Sequence, residues 1–152
     1  MKKRTFLLVC LFVLGLCTAC TNANKPTGRW SIAEESTREF TDVLQLRITE
    51  IDLSENTVTY DIENSSEDTY SCGTGADFAL EVLQNGVWHN MRADPSWGIT
   101  LELHILPPGE TTEFTASLRS VLPSGTYRLV KEVSLEEASQ NRGFLCCEFI
   151  IE

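Results

Sequence analysis

Basic residues are scarce in this chain. It has 152 residues, with 12 Lys+Arg against 22 Asp+Glu and a net charge of −10. Lys2, Lys3 and Arg4 account for the basic residues of the first nineteen, so residues 20–152 carry nine against all 22 acids, a net of −13. That deficit argues against nucleic-acid binding, which needs clustered Lys and Arg to meet phosphates. The chain also lacks a Gly-x-Ser-x-Gly elbow, a His-Glu-x-x-His pair and a phosphate loop, and no Cys-x-x-Cys spacing occurs among Cys72, Cys146 and Cys147. No apolar run reaches the ~20 residues that span a bilayer. No internal repeat or low-complexity tract is present. Against these absences stands a hydrophobic content of 42%, which excludes a wholly disordered chain. The length fits one domain.

The first nineteen residues read as an address. Met1-Lys2-Lys3-Arg4 is a basic start, and Thr5 to Leu16 is an apolar run suited to a signal-peptide core. It runs into Cys17-Thr18-Ala19-Cys20. Small residues directly before a Cys resemble the lipobox of bacterial lipoproteins, although Cys17 stands where that family usually has Leu. The resemblance implies cleavage after residue 19 and a diacylglyceryl group on Cys20. Two acyl chains suffice for stable anchoring. Thr21 to Gly28 is polar, with a Pro and a Gly, and reads as a flexible tether. Residues beyond 20 then face an oxidising or extracellular compartment.

The remainder alternates with period 2, the signature of half-buried strands. Leu44/Leu46/Ile48, Val58/Tyr60/Ile62, Phe78/Leu80/Val82, Ile99/Leu101/Leu103/Ile105, Phe114/Ala116/Leu118 and Leu145/Cys147/Phe149/Ile151 each form one apolar face. Thr126 to Val133 is apolar on both faces and predicts a central strand. Turn residues separate these segments; Asn85-Gly86 predicts a two-residue hairpin. Two packed antiparallel sheets are the expected solution. Ser134, with Glu137 three residues on, predicts one or two helical turns over 135–140. Residues 29–42 read as an N-terminal extension, with a short strand or a loose segment over 29–40.

Four further pieces carry a family resemblance: Ile62-Glu63-Asn64-Ser65, Gly86-Val87-Trp88, Leu106-Pro107-Pro108-Gly109-Glu110, and Leu122-Pro123-Ser124-Gly125-Thr126-Tyr127-Arg128-Leu129-Val130-Lys131-Glu132-Val133. In this order they resemble the bacterial immunoglobulin-like domain of surface lipoproteins. The resemblance covers roughly residues 43–152. It implies an all-β, Ig-like antiparallel sandwich of about seven or eight strands, with no catalytic motif to carry over. Read physically, Pro-Ser-Gly followed by Tyr127 is the arrangement of a tyrosine corner. Trp88 beside the hairpin reads as a core or sheet-packing residue.

Three cysteines follow the signal: Cys72, Cys146 and Cys147. In an Ig-like order Cys72 could meet one of the other two. Cys147, which shares the Leu145/Phe149 face, is favoured over Cys146. Such a bridge would stabilise the fold by roughly 4 kcal/mol in the chain-entropy model. Unpaired thiols and a soft metal or redox site are the alternatives. His89 and His104 read as surface residues, with His104 on a polar strand face. Glu67-Asp68 reads as a solvated acidic loop without Ca2+-ligand spacing. Trp97, in Ala93 to Gly98, either anchors a partner or folds back to cap the sandwich.

The reading is therefore a monomeric, lipid-anchored, extracytoplasmic binding or display module without catalysis, cofactor or metal. Its partner would be a protein or a cell-wall polymer. A thiol-dependent metal or redox lipoprotein using Cys72, Cys146 and Cys147 is the alternative, and a protease inhibitor a weaker one by fold analogy alone.

Overall fold

The structure is a computed structural model, and it describes residues 30–93, 102–136 and 138–152. Ten strands are described: β1 (Trp30–Glu35), β2 (Gln45–Asp52), β3 (Thr57–Glu63), β4 (Tyr70–Gly73), β5 (Ala79–Gln84), β6 (Val87–Ala93), β7 (Leu103–Leu106), β8 (Thr111–Ser117), β9 (Gly125–Leu135) and β10 (Ala138–Ile151). They form a three-stranded sheet, β2-β3-β8, and a seven-stranded sheet in which β9 is central. All named pairings are antiparallel. The chain is thus an all-β sandwich of two unequal sheets.

Alternation explains most of the core. On β3, Val58, Tyr60 and Ile62 are buried while their neighbours are partly exposed. Leu46, Phe114 and Ala116 extend that inner face, and Leu80, Val82, Tyr127, Leu129, Leu145 and Phe149 supply the opposing one. The hairpin at Asn85-Gly86 has positive φ at both residues, 52° and 81°, as a type I′ turn requires.

The long β9 organises the larger sheet. One of its edges pairs with β10 along its whole length. Its other edge is shared end to end by β4, from Cys72↔Val133, and β5, from Ala79↔Val130. Between those two pairs β9 advances three residues and its partner seven. The excess, residues 74–78, leaves the ladder and dips toward the smaller sheet. Gly75 fits there because a Cβ would lie 3.1 Å from the Thr115 carbonyl and 3.3 Å from Phe114.

Two expectations need correction. Strand stands where helical turns were expected over 135–140: β9 ends at Leu135, which pairs with Ala138 at the start of β10. A one- or two-turn helix is unstable alone, and a continuous ladder between two long strands outweighs a capping box. β7 has the opposite register to the expected one. Leu103 and Ile105 are exposed, while His104 faces inward, edge-on to Phe114 at 5.3 Å, beside buried Leu106. Pairing of Tyr70 with Leu106 and Cys72 with His104 sets this register, and a shift of one residue flips every side chain. Within residues 29–42, the short strand that the sequence offered is β1. β1 pairs with β6, Trp30 is buried in the core, and Thr41 N donates to Phe144 O across the sheet's outer face.

Candidate functional site

The motif residues come together as fasteners. Asn64 is buried, and its amide donates to the Asp68 and Leu106 carbonyls, both at 2.8 Å. Its backbone N–H donates to Glu110 O and its carbonyl accepts from Gly109 N–H. The Ile62–Ser65 and Leu106–Glu110 pieces, 40 residues apart, are therefore one knot. The Tyr127 hydroxyl donates to Pro123 O, 2.8 Å away, and its ring stacks on Phe149 at 5.6 Å. That bond ties the start of β9 to the turn before it. Trp88 packs on the outer face, where the Arg128 guanidinium lies 4.4 Å from its ring centroid and 4.5 Å from that of Phe40.

Lys131 is wholly buried and points inward from β9. Its Nζ donates to Thr74 O and Asp77 O, each at 2.5 Å, and lies 5.6 Å from the Phe114 ring centroid. The 74–78 excursion puts backbone carbonyls into the interior, where an unpaired acceptor is costly. Lys131 supplies the donors. The Tyr60 hydroxyl adds a bond to Gly75 O at 3.0 Å, and Arg119 one to Ala76 O. Burial pulls the Lys131 pKa down, against the opposing pull of Cys72 and Asp77. Burial also lowers Arg119, to about 10.

Glu81, equally buried, points outward from β5 beneath residues 36–41. It accepts from Ser36 Oγ at 2.6 Å, Arg128 Nε at 2.5 Å and Arg38 Nη1. Arg38 also reaches Asn90 Oδ1. Burial alone would raise the Glu81 pKa; the bonds from Ser36, Arg128 and Arg38 outweigh it and hold the carboxyl below its ordinary range. This network straps the crossing segment to the sheet.

The thiols are all free, and the structure does not bring them together. Cys72 pairs across one edge of β9 with Val133, whereas Cys146 and Cys147 pair across the other with Val130 and Leu129. Two strand spacings and three or four residues of rise put the Cα atoms roughly 14 and 17 Å apart. A disulfide needs less than about 7 Å, so the expected Cys72–Cys147 (or Cys146) bridge does not form in this register. Cys72 is in the core, and burial pushes its pKa up to about 11. Cys147 packs against the core, while Cys146 lies on the outer face near Arg128 and Glu81. No trio of His, Cys, Asp or Glu among the described residues is placed to hold a metal ion. The signal segment, Cys20 and Trp97 lie outside the described residues.

A concave surface of the described residues lies apart from the Lys131 and Glu81 networks. Where β1, β5 and β6 extend the larger sheet, residues 118–125 cross its inner face, with Trp30 Nε1 donating to Leu118 O at 2.7 Å. Beside that crossing lies a groove of about 380 Å3, floored by Trp30, Val82 and Tyr127 and edged by Ile32, Leu83 and Val121. Its edge side chains are 50%, 37% and 77% exposed. No lining residue is charged. Sequence reasoning missed this groove, and it missed Glu81 and Lys131. An inward Lys between Leu129 and Val133 was the only available signal.

Two solved structures are similar to this chain. The Bordetella pertussis protein described as ApaA is 16% identical, with 81% of this chain and 88% of that one covered and a TM-score of 0.32. The archaellum periplasmic stator protein complex FlaF and FlaG from Sulfolobus acidocaldarius is 16% identical, with 78% and 98% covered and a TM-score of 0.38. No curated protein matches. The profile of the bacterial Ig-like domain matches residues 38–144, which include the Asn64 knot, the Trp88–Arg128 stack, the Tyr127 corner and Lys131, and the chain belongs to that family.

Proposed function

We propose that this protein is a lipid-anchored, extracytoplasmic Ig-like module that binds or displays and does not catalyse. The supporting observation is how its buried ionisable groups are used. Lys131 and Glu81, the described charged side chains buried most completely, are spent on backbone carbonyls and on the strap over the sheet. Neither is presented to a cleft. The membership in the Ig-like family and the Cys20 lipobox pattern point the same way. The partner would be a protein or wall polymer outside the cell. The separation of Cys72 from Cys146 and Cys147 supports this reading over the thiol-dependent metal or redox alternative.

The test is the intact mass of the mature protein recovered from its host's membrane fraction. The expected chain starts at Cys20 and carries a diacylglyceryl group, and Cys20→Ser removes that mass. A mature chain that starts elsewhere, or carries no acyl group, overturns the anchoring.

A further inference from the structure

We infer that the apolar groove beside β1 is the face that this domain seats on the bilayer holding its anchor. The inference rests on the lipid-anchored reading above. Three observations carry it. The first is position. Trp30, on the groove floor, is joined to Cys20 by only ten peptide units. Fully extended these reach at most about 35 Å, and as a flexible coil roughly 17–19 Å. The tether thus enters the domain at the groove, and the bilayer is held at high effective concentration to it.

The second observation is chemistry. Ile32, Leu83 and Val121 offer an aliphatic rim, and the lining is uncharged in a body carrying −13 overall. A carboxylate placed there would oppose contact with hydrocarbon, since burying an unpaired charge is costly. No acidic residue lines the groove itself; the exposed Glu34, two residues beyond Ile32 on β1, is paired with Arg92. The third is the origin of the groove wall. Trp30, Ser31 and Ile32 belong to β1, which precedes the family match at residue 38. The strand that completes the groove lies between the matched segment and the tether.

The experiment uses the acylated full mature chain in phosphatidylcholine vesicles. A nitrobenzoxadiazole fluorophore is attached at Ser124→Cys on the rim, with Cys146→Ser and Cys147→Ser to keep labelling specific. The expected result is a blue-shifted, several-fold brighter emission that nitroxide-labelled lipids quench. Ile32→Glu with Val121→Glu should abolish it while the acyl mass and the urea midpoint stay unchanged, because both side chains are largely exposed. Water-like emission from acylated, vesicle-bound protein overturns the seating and leaves the anchor intact. A low-polarity signal already present in lipid-free Cys20→Ser protein means that protein fills the groove, its own chain or a second copy, and also overturns it. A missing acyl mass overturns the anchor, and the seating with it, and is read by a separate measurement.

Discussion

Glu81 and Lys131 sit on neighbouring strands of one sheet and are equally inaccessible, yet the molecule accommodates them in opposite ways. Glu81 faces outward and is matched by the Arg128 guanidinium from neighbouring β9 and by the Ser36 hydroxyl and Arg38 guanidinium of the crossing segment. Lys131 faces inward and meets no carboxylate within ion-pair distance; two backbone carbonyls solvate its ammonium. The difference follows from the ladder. On the outer face a crossing segment must be fastened, and side chains of both signs are available. On the inner face the β4–β5 excursion strands backbone acceptors, and only a long donor can reach them. A buried charge here marks a place where regular strand pairing stops.

The comparison is broken most severely at Glu81. Glu81→Leu leaves Arg128, 11% exposed, and Arg38, 27% exposed, as facing like charges. Removing one member of a buried pair costs about 3–5 kcal/mol, to be read as a lowered urea midpoint; a loss below about 1 kcal/mol would mean the strap is held by its other contacts. Glu81→Gln sharpens the point through pH. The carboxyl is held below its ordinary 4.5, so its contribution is present above that value and is lost as pH falls through the lower folded one. The gap between wild type and Glu81→Gln should therefore close in acid.

Lys131→Met comes next. It keeps the apolar stem but removes the donor to Asp77 O and leaves Thr74 O with only the Asp77 N–H, a loss of about 1–3 kcal/mol. Its pH signature has the same sign but lies on the alkaline side. The folded pKa lies below the ordinary 10.5, so between the two the unfolded chain binds more protons. Wild-type stability should rise relative to Lys131→Met as pH climbs through that window. A flat difference on the alkaline side would contradict the depressed pKa.

Most of the fold was legible because alternation and turn chemistry agree. The β3 face, the β5–β6 hairpin at Asn85-Gly86 and the Leu145/Cys147/Phe149 face follow from local pattern. What local pattern could not show was pairing. β7 alternates perfectly, but its neighbour β4 decides which side is inside, and that side is His104 and Leu106. The Cys72–Cys147 expectation failed for the same reason: both residues are on inner-facing positions, but β9 lies between them. The family pieces were legible as motifs and obscure as functions, because Asn64, Trp88 and Tyr127 act on partners distant in sequence. The groove was invisible, since it arises where two sheets differ in width.

Tyr127→Phe tests a neutral fastener against the charged ones. The ring stays on Phe149 and only the 2.8 Å bond to Pro123 O is lost, so the expected destabilisation is about 1 kcal/mol. A loss above about 3 kcal/mol would make the corner as demanding as Glu81.

The smallest effects separate the two faces through their thiols. Under native conditions Cys72 should resist alkylation, because the core excludes reagent and burial raises its pKa to about 11, which suppresses the thiolate. Cys146 and Cys147 are partly accessible and should label first. In denaturant without reductant all three should label, as the separation across β9 requires; a single label there would mean that a bridge exists and that the β9 register is different. Cys146→Ser should shift stability by no more than about 0.5 kcal/mol. Its side chain borders the Arg128–Glu81 network without bonding to it, so the strap should hold whether that position carries sulfur or oxygen.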